Sequence, residues 1–556
     1  MPGRKEIRIA MGLIEELKKI IKSDIAADEE SRLKYSYDAS LFEVKPEVIV
    51  FPKDCEDLKA LVQFVSDKKK NGQKISISAR SGGSCMSGGS LTESIIVDFT
   101  RYFNRIKNIS NYSAVAEPGV YYRDFEKESL KQNLLLPSYP ASKELCALGG
   151  MVSNNSGGEK TLTYGKTENF VVELKVILSD GNEYVVKPLK KYKLMKKMQE
   201  NTFEGRIYSK TYDLINKNFD LLRAAKPDVS KNSAGYYLWN VWDGHTFDLT
   251  KLFVGSQGTL GLITEIKFRL VNPKKYSKTA VIFLKNLDPL LPVVKTVLEF
   301  KPESFESFDD NTLKLAIRFL PGLLKSLKTK NFFKLGWEFL PEFWMMLTGG
   351  FPRLVLLAEF TGDKEKEISR QIEGLPAKLR ALGVKFRIIN DADEAQKYWV
   401  IRRESFRLLR EHIKGKRTAP FIDDFIVNVE KLPELLPRLQ KVMSKYDLTY
   451  TIAGHMGDAN FHIIPLMDFK DPKAREIIKN LADEVYDLVL SLKGSITAEH
   501  NDGLIRTPYL EKMYGPKVCK LFEETKKIFD PLDIFNPGKK VNGNLDYALK
   551  HLVTTS

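Results

Sequence analysis

The sequence is poor in cysteine and in long hydrophobic runs. It has four cysteines among 556 residues and no C-x-x-C pair, which argues against an iron-sulfur cluster or zinc ribbon held by the chain's own cysteines. Few cysteines also favour a reducing, cytoplasmic setting. The apolar runs, such as residues 343–347 and 354–358, are far shorter than the roughly 20 residues that span a bilayer, and the N-terminus lacks a secretory hydrophobic segment. A spanning helix is therefore not expected.

The sequence also has fewer acidic than basic residues. It contains 72 aspartates and glutamates against 87 lysines and arginines, which gives a net charge of +15. An anionic membrane surface, an anionic substrate or an acidic protein partner would fit this charge. Nucleic acid is not expected, because no helix-turn-helix, finger or RNP-type pattern accompanies the widely spread lysines. Residues 313–347 mix basic and aromatic side chains, which indicates either a lipid-facing element at the membrane or an insertion packed on the rest of the chain.

A chain of this length predicts two or three domains. Residues 1–42 form an N-terminal segment with an amphipathic helix predicted over residues 6–24. Residues 43–275 alternate short Val/Ile-rich strands with helices and glycine-rich turns, which predicts an α+β domain. From residue 276 to about 500, longer amphipathic helices alternate with strands and predict a second α+β domain of antiparallel sheet and helices. Residues 501–556 form the C-terminal segment.

Three glycine-rich segments occur in the first domain, and the first of them is RSGGSCMSGGS at residues 80–90. Such a loop brings backbone N–H groups close to a pyrophosphate, because glycine has no Cβ and tolerates positive φ. Taken alone, a flexible loop explains it equally well. The others are LGGMVSNNSGG at residues 148–158 and VGSQGTLGLIT at residues 254–264, with AEPGV at residues 116–120 between the first two.

These segments, in this order, resemble the vanillyl-alcohol oxidase/PCMH-type FAD-binding domain, and the resemblance covers residues 45–540. It implies that residues 81–89 hold the FAD pyrophosphate and that further residues line the adenine, ribose or isoalloxazine. The implied cofactor-binding residues are Ser81, Gly82, Gly83, Ser84, Cys85, Met86, Ser87, Gly88, Gly89, Pro137, Ser142, Gly149, Gly150, Asn155, Ser156, Gly157, Ile263 and Asn536.

Two features bear on the cofactor in this resemblance. The family usually has glutamate where this chain has Gln257, which removes a charge near the cofactor. Members that attach FAD covalently commonly use a histidine, and residues 81–89 contain none, so noncovalent FAD is expected. The motif IFDPLDIFNPGKK at residues 528–540 matches the closing motif of the family, in which the C-terminal segment returns to the FAD domain.

Histidine is scarce, yet three of the six histidines fall in two compact motifs, GHMGDANFH at residues 454–462 and AEHNDG at residues 498–503. The first motif predicts a turn entering a strand. His455, His462 and Glu499 can converge as two imidazole ligands and one carboxylate ligand of a divalent metal with open coordination positions. An isolated histidine more often satisfies backbone groups, but the grouping favours the metal site.

These motifs, with YWVIR at residues 398–402, resemble the FAD-linked D-2-hydroxy-acid dehydrogenases and oxidases that act on D-lactate, glycolate or D-2-hydroxyglutarate. The resemblance implies a zinc, manganese or iron ion on His455, His462 and Glu499, with His500 as the base. By motif position, Arg402 is the predicted partner of the substrate carboxylate, because guanidinium pairs with carboxylate in two parallel hydrogen bonds. The motif EHNDG replaces the usual E-H-G-x-G, a variant found in larger members that continue into an iron-sulfur domain.

The predicted function is FAD-dependent oxidation of a small D-2-hydroxy acid to the 2-oxo acid, with hydride transfer to flavin N5. The electrons would pass to a quinone, a cytochrome, an iron-sulfur subunit, an electron-transfer flavoprotein or oxygen. Two alternatives stay open: a FAD-linked oxidase of another alcohol, and a flavin subunit of a multi-subunit electron-transfer complex. The expected localisation is cytoplasmic, either free in solution or peripheral on the inner face of the membrane.

Overall fold

The structure, a computed structural model, describes residues 4–318, 351–391, 394–403 and 415–554. The strands of these residues are β1 (Asp24–Ala26), β2 (Val48–Phe51), β3 (Ile77–Arg80), β4 (Ile95–Asp98), β5 (Ile106–Ser110), β6 (Ser113–Ala116), β7 (Val171–Ile177), β8 (Glu183–Val186), β9 (Leu189–Lys190), β10 (Thr246–Phe247), β11 (Leu262–Arg269), β12 (Tyr276–Leu284), β13 (Ser304–Asp309), β14 (Leu354–Gly362), β15 (Lys385–Ile389), β16 (Arg417–Thr418), β17 (Phe425–Ile426), β18 (Thr449–His455) and β19 (Asn460–Met467).

Helices connect and cover these strands. They span Arg4–Ile20, Glu29–Tyr35, Cys55–Lys70, Tyr122–Lys131, Leu148–Asn154, Thr161–Tyr164, Lys191–Met198, Phe203–Lys217, Phe219–Ala225, Thr250–Phe253, Leu290–Glu299, Asp310–Arg318, Glu365–Gln371, Leu375–Ala381, residues 394–403, Leu432–Met443, Ala474–Ser491, Gly503–Arg506, Leu510–Phe529 and Leu545–Lys550. Across the described ranges, every helix falls short of the length and apolar character needed to cross a bilayer.

The first sheet has the strand order β1-β2-β4-β3, with parallel pairing of β4 to both β2 and β3. Strands β2 and β4 are entirely buried and rich in valine and isoleucine, which is typical of parallel strands covered on both faces. The helix Cys55–Lys70 connects β2 to β3. Asp54 precedes its first residue, and the Asp54 carboxylate accepts the N–H of Asp57 and caps the helix.

The second sheet is antiparallel, with the order β5-β6-β11-β7-β8. Its core includes buried side chains from helix Tyr122–Lys131 and helix Phe203–Lys217. Helix Leu510–Phe529, from the C-terminal segment, contributes Phe522 and Phe529 to the same core. The C-terminal segment therefore packs against the N-terminal half of the chain.

The third sheet contains eight strands of the described chain, and its main path has the order β15-β12-β14-β13-β18-β19-β16, with β17 paired to β19. All of its pairings are antiparallel. Helices Leu290–Glu299, Leu432–Met443 and Ala474–Ser491 share one hydrophobic core with strands of this sheet. Side chains of residues 394–403 join a separate hydrophobic cluster with β12, β13 and β14. This antiparallel sheet with its helices confirms the predicted α+β character of the second half.

The predicted domain boundaries at residues 42, 275 and 500 stay predictions, although the change from the second sheet to the third falls between β11 and β12. The predicted lipid-facing element at residues 313–347 lies outside the described residues from residue 319 onward. The predicted N-terminal helix is confirmed and spans Arg4–Ile20.

Candidate functional site

One cavity of about 870 Å³ brings the glycine-rich segments and the histidine motifs together. Its walls include residues of the loop 80–90, both later glycine-rich segments, strands β18 and β19, and the loop that carries Glu499 and His500. This volume lies near the upper end of the range of ligand pockets. It exceeds what a hydroxy acid of a few carbon atoms would fill, so the cavity has room for a large cofactor beside a small substrate.

The loop 80–90 follows β3 directly and is tightly packed. Gly83 and Gly88 have φ values of 66° and 76°, which favour glycine. A Cβ at Gly82 would lie 2.4 Å from the carbonyl oxygen of Leu145. Glycines are therefore required here by the backbone path and by close neighbours, and the same absence of side chains leaves the backbone open to the cavity.

The structure places most of the predicted cofactor-binding residues on the cavity wall. Those on the wall are Ser81, Gly82, Gly83, Ser84, Cys85, Met86, Gly89, Ser142, Gly149, Gly150, Ser156, Gly157 and Ile263. Five predicted residues do not line it, namely Ser87, Gly88, Pro137, Asn155 and Asn536. Gln257 does line it, and its side chain is bonded to Ser87 Oγ, Asn154 Oδ1 and the N–H of Gly503.

Asn536 lies behind the cavity wall rather than on it. Its Nδ2 donates to the carbonyl oxygens of Gly89 and Gln257, each at 2.7 Å, and its Oδ1 accepts from Ser78. It thus joins the first and third glycine-rich segments to β3. This placement favours a supporting role over the predicted direct contact with the cofactor.

The two histidines of the first motif lie on adjacent strands. His455 ends β18 and His462 lies within β19, so the predicted turn entering a strand is a short turn, Met456–Asp458, between two strands. Both imidazoles direct Nε2 at the same oxygen, Glu499 Oε1, at 2.8 Å and 3.4 Å. The structure therefore brings together the three residues predicted as metal ligands.

A carboxylate holds the other nitrogen of each of these imidazoles. Glu306 Oε1 lies 2.6 Å from His455 Nδ1, and Asp423 Oδ1 lies 3.0 Å from His462 Nδ1. Burial lowers the pKa of His462, but the carboxylates of Asp423 and Glu499 outweigh it and raise this pKa to about 10. Each ring is thus oriented from behind by a carboxylate, which is the arrangement that fixes the tautomer of metal-binding histidines.

His500 stacks on His462 with the ring centroids 5.0 Å apart. Its Nδ1 lies 2.6 Å from Asp423 Oδ2, so one carboxylate group holds both rings. Burial lowers the pKa of His500, and Asp423 and Asp424 raise it to a net value above the ordinary one. With Nδ1–H donated to Asp423, the lone pair lies on Nε2, and His500 lines the cavity.

Asp424 organises the loop that carries Glu499 and His500. Its Oδ2 accepts hydrogen bonds from the N–H groups of Ala498, Glu499 and His500 and from the hydroxyl of Thr497. Four donors on one oxygen fix the direction of this loop. Asp424 itself has a φ of 72°, an uncommon backbone conformation for a residue other than glycine.

Two adjacent arginines line the cavity, and each is paired with a glutamate. Arg402 Nε lies 2.7 Å from Glu306 Oε2, the carboxylate that also holds His455. Arg403 makes a bidentate pair with Glu159. Arg402 is thus tied to the histidine cluster, while Arg403 ties the helix of residues 394–403 to the glycine-rich side of the cavity.

The donor set fits a divalent cation. Glu499 Oε2 is buried without a hydrogen-bond partner in the part of the chain that the structure describes, and the cation of Lys231 lies 3.6 Å from it. The negative charges of Asp423 and Glu499 raise the pKa of His462, and a bound dication would balance these negative charges. Asp424, His462, Glu499 and His500 form an overlapping candidate set, with ligand atoms within 4.8 Å of one another. The four hydrogen bonds on Asp424 Oδ2 favour His455, His462 and Glu499 instead.

The carboxylates that orient the histidines were not predicted from the sequence. Asp423 and Asp424 interrupt the apolar run FIDDFIV at residues 421–427, and that acidic pair was a usable signal. Glu306 had no comparable signal, because its role depends on the pairing of β13 with β18. The buried position of Lys231 was not predicted either, because Lys231 lies in a lysine-rich region. Its Nζ is 3.4 Å from Asp458 and 3.6 Å from Glu499.

Comparison with known proteins identifies the family. The family model described as FAD binding domain matches residues 46–187, and the model described as FAD linked oxidases, C-terminal domain, matches residues 273–540. A D-2-hydroxyglutarate dehydrogenase of Escherichia coli is 25% identical over 96% of this chain and 52% of its own length. The glycolate oxidase subunit GlcD of Bacillus subtilis is 26% identical over 91% of this chain and 92% of its own length.

A D-lactate dehydrogenase of Anaerostipes hadrus is 25% identical over 96% of this chain and 98% of its own length. By contrast, this chain spans about half the length of several D-2-hydroxyglutarate dehydrogenases that it matches, including that of Pantoea ananatis. Among solved structures, 4-ethylphenol oxidase from Gulosibacter chungangensis aligns with a TM-score of 0.69 at 16% identity over 97% of this chain and 98% of that one.

p-Cresol methylhydroxylase aligns equally well, with a TM-score of 0.69 at 15% identity over 98% of both chains. These two structures confirm the predicted vanillyl-alcohol oxidase/PCMH-type fold. The glycine-rich cavity wall, the histidine motifs and both family models agree, and the chain belongs to the FAD-linked oxidase family.

Proposed function

We propose that this chain oxidises a small D-2-hydroxy acid to the corresponding 2-oxo acid. The observation that carries the proposal is the shared cavity, in which the glycine-rich segments and the cluster of His455, His462, Glu499 and His500 face one space. A hydride acceptor and a proton acceptor can therefore meet at one carbon atom and its hydroxyl. The relatives named for D-2-hydroxyglutarate, D-lactate and glycolate support this substrate class.

In this proposal bound FAD would supply the hydride acceptor at N5, and a bound divalent metal ion, zinc, manganese or iron, would supply Lewis-acid chemistry at the hydroxyl. The glycine-rich loop 80–90 would hold the pyrophosphate through backbone N–H groups. His455, His462 and Glu499 would hold the metal. The absence of histidine from residues 81–89 supports noncovalent FAD.

His500 is the proposed base. Its Nδ1–H donates to Asp423, so the proton of the substrate hydroxyl would move to the lone pair on Nε2. Asp423 would then stabilise the imidazolium that forms. Arg402 is the proposed partner of the substrate carboxylate, and its pair with Glu306 would hold the guanidinium in place at the edge of the cavity.

The experiment is anaerobic reduction of the flavin in the purified protein, followed by its visible absorbance. D-lactate, glycolate or D-2-hydroxyglutarate should bleach the flavin, whereas L-lactate should not, and prior chelation should abolish the bleaching. His500→Gln should slow reduction by about 100- to 10,000-fold, the usual contribution of a general base. His245→Gln, at an exposed position, is the matched control and should reduce at the normal rate.

A yellow protein that no hydroxy acid bleaches would contradict the substrate class and leave the flavin domain untouched. Bleaching that survives complete removal of metal would contradict the metal site alone. The electron acceptor, predicted as a quinone, a cytochrome, an iron-sulfur subunit or an electron-transfer flavoprotein, stays a prediction. Peripheral contact with an anionic membrane has the same status.

A further inference from the structure

A short segment before β2 forms part of the cavity wall beside the glycine-rich loop. Tyr37, Asp38 and Ala39 line the cavity, and the N–H of Ala39 donates to the carbonyl oxygen of Cys85 at 3.0 Å. This hydrogen bond fixes the segment against the loop. Asp38 thereby places a carboxyl group at the part of the cavity where residues 81–89 are predicted to hold the cofactor.

Asp38 uses only one of its two oxygens. Oδ1 accepts the N–H of Ser40 at 2.9 Å, whereas Oδ2 is buried and has no hydrogen-bond partner among the described residues. Burial raises the pKa of Asp38 to about 6, although the nearby Arg80 lowers it. Ser90, at the far end of the loop, also lines the cavity and has a buried hydroxyl without a partner in the same described ranges.

Among the described residues, neither of the neighbouring cations Arg80 and Lys539 donates a hydrogen bond to Oδ2 of Asp38. The guanidinium of Arg80 donates to the carbonyl oxygens of Tyr35 and Tyr37, at 3.3 Å and 2.7 Å. Lys539 Nζ donates to the carbonyl oxygen of Leu91 at 2.7 Å. A buried oxygen without a donor destabilises the protein, so a donor arriving from the cavity would be bound strongly.

We propose that Asp38, together with Ser90, binds a sugar hydroxyl of FAD. The inference rests on FAD as the cofactor of the proposed function. FAD carries hydroxyl donors on its ribityl chain and on its adenosine ribose, and both flank the pyrophosphate that the loop 80–90 would hold. A carboxylate accepts such a hydroxyl, and the Ser90 hydroxyl can donate or accept.

The test compares the wild-type protein with Asp38→Asn after removal of flavin and titration with FAD. The substitution keeps the shape and the bond to Ser40, so the flavin-free protein should melt at an unchanged or higher temperature. FAD affinity should fall by about 10- to 100-fold, as expected for a lost hydrogen bond to a charged group. Ser90→Ala should reduce the affinity by a smaller factor.

Asp98→Asn is the matched control. Asp98 is equally a buried carboxylate of this domain, but it does not line the cavity, and its oxygens accept from Tyr35 and Thr100. This variant should melt at a lower temperature and bind FAD within about twofold of the wild-type protein, because its bonds are internal. Equal FAD affinity of Asp38→Asn and wild type would overturn the proposal.

Two FAD analogues identify the hydroxyl. One lacks the ribityl hydroxyls and the other carries 2′,3′-dideoxyadenosine. The analogue that lacks the hydroxyl bound by Asp38 should bind Asp38→Asn and wild type equally, because neither protein can form the hydrogen bond with that analogue. If Asp38→Asn weakens both analogues as much as FAD, the hydroxyl assignment is wrong. Failure of the wild-type protein to bind FAD would instead contradict the proposed function.

Discussion

A single carboxylate, Asp423, connects the two chemical roles proposed for the histidines. One oxygen holds His462, a proposed metal ligand, and the other holds His500, the proposed base. Burial opposes ionisation of Asp423, but the two imidazoles hold its pKa well below the ordinary value, so it stays a carboxylate. Both rings therefore depend on one negatively charged acceptor.

Asp423→Asn should disturb both roles at once. An amide offers one oxygen for two ring N–H groups, so one imidazole must turn or change tautomer. Metal affinity should fall by about 10- to 100-fold, and the rate of flavin reduction by about 100-fold or more. Metal content by mass spectrometry and anaerobic stopped-flow absorbance would measure the two effects.

Asp309→Asn is the control for the loss of a buried carboxylate, because Asp309 lies on β13 and bonds to Thr312 and Ile452 rather than to a histidine. It should leave metal content unchanged. An Asp423→Asn protein with normal metal content and normal flavin reduction would contradict the shared role of Asp423.

At the scale of elements, strand pairing decides which side chains face the cavity. On β18, Thr451, Ala453 and His455 alternate with residues on the opposite face, and all three line the cavity. On β19, His462 and Ile464 do the same. Because successive side chains in a strand point to opposite faces, a shift of one residue in this pairing would remove the histidines from the site.

Strand β14 contributes a partly buried acid, Glu359, where the two halves of the chain meet. Glu359 lies near Lys160 and Arg403, which lower its pKa, and near Glu303 and Glu159, which raise it. Burial is the largest influence and, with the two acids, raises the pKa of Glu359 to about 7. Since the ordinary value is 4.5, the unfolded chain loses this proton first as the pH rises.

Glu359→Gln should therefore stabilise the protein at alkaline pH. Below about pH 4.5 both states hold the proton and the carboxyl adds no pH dependence; between there and about pH 7 the wild-type protein loses stability progressively. At pH 8 the variant should be more stable by about 3 kcal/mol, and at pH 4.5 the advantage should nearly vanish. Thermal unfolding across this pH range would measure the difference.

Glu365→Gln is the control, because Glu365 lies exposed on the helix that follows β14 and its carboxylate forms a surface ion pair with Lys278. It should change stability little at any pH. A Glu359→Gln protein with the same pH dependence as wild type would show that Glu359 does not hold its proton in the folded state.

At the scale of the whole molecule, the C-terminal segment closes the flavin domain. Phe535 pairs with Ile77 in the first sheet, and Lys526 Nζ donates to the carbonyl oxygens of Thr259 and Phe535. Asn536 then joins two glycine-rich segments from behind the cavity wall. The closing motif thus acts through contacts with parts of the chain some 280 to 460 residues away, as the separations of 279, 447 and 458 residues for Asn536 show.

Asn536→Ala should loosen this closure. Its loss leaves the carbonyl oxygens of Gly89 and Gln257 buried without their donor, which should lower stability by about 3 kcal/mol. FAD affinity should fall as well, because the loop 80–90 loses its support. Thermal unfolding with and without FAD would show both effects, whereas Asn240→Ala, at an exposed position, should show neither.

Much of this could be predicted from the sequence because the information is local. The apolar strands, the N-terminal helix and the glycine-rich loop follow from side-chain periodicity and backbone freedom. Because histidine is scarce, the two histidine motifs predicted that His455, His462 and His500 share a site. The structure brings these three residues together with Glu499. Residue type and short spacing were sufficient for these predictions.

Tertiary structure alone decided which groups support the site. Glu306, Asp423 and Asp38 are distant in sequence from the residues or loop that they serve, and Asn536 turned from a predicted cofactor contact into a support behind the wall. The sequence by itself determined the chemical inventory and the elements that carry it. Sheet pairing and chain closure determined the distances between these groups and their burial. Distance and burial together decide whether a carboxylate orients a histidine, pairs with an arginine or is left without a donor inside the protein.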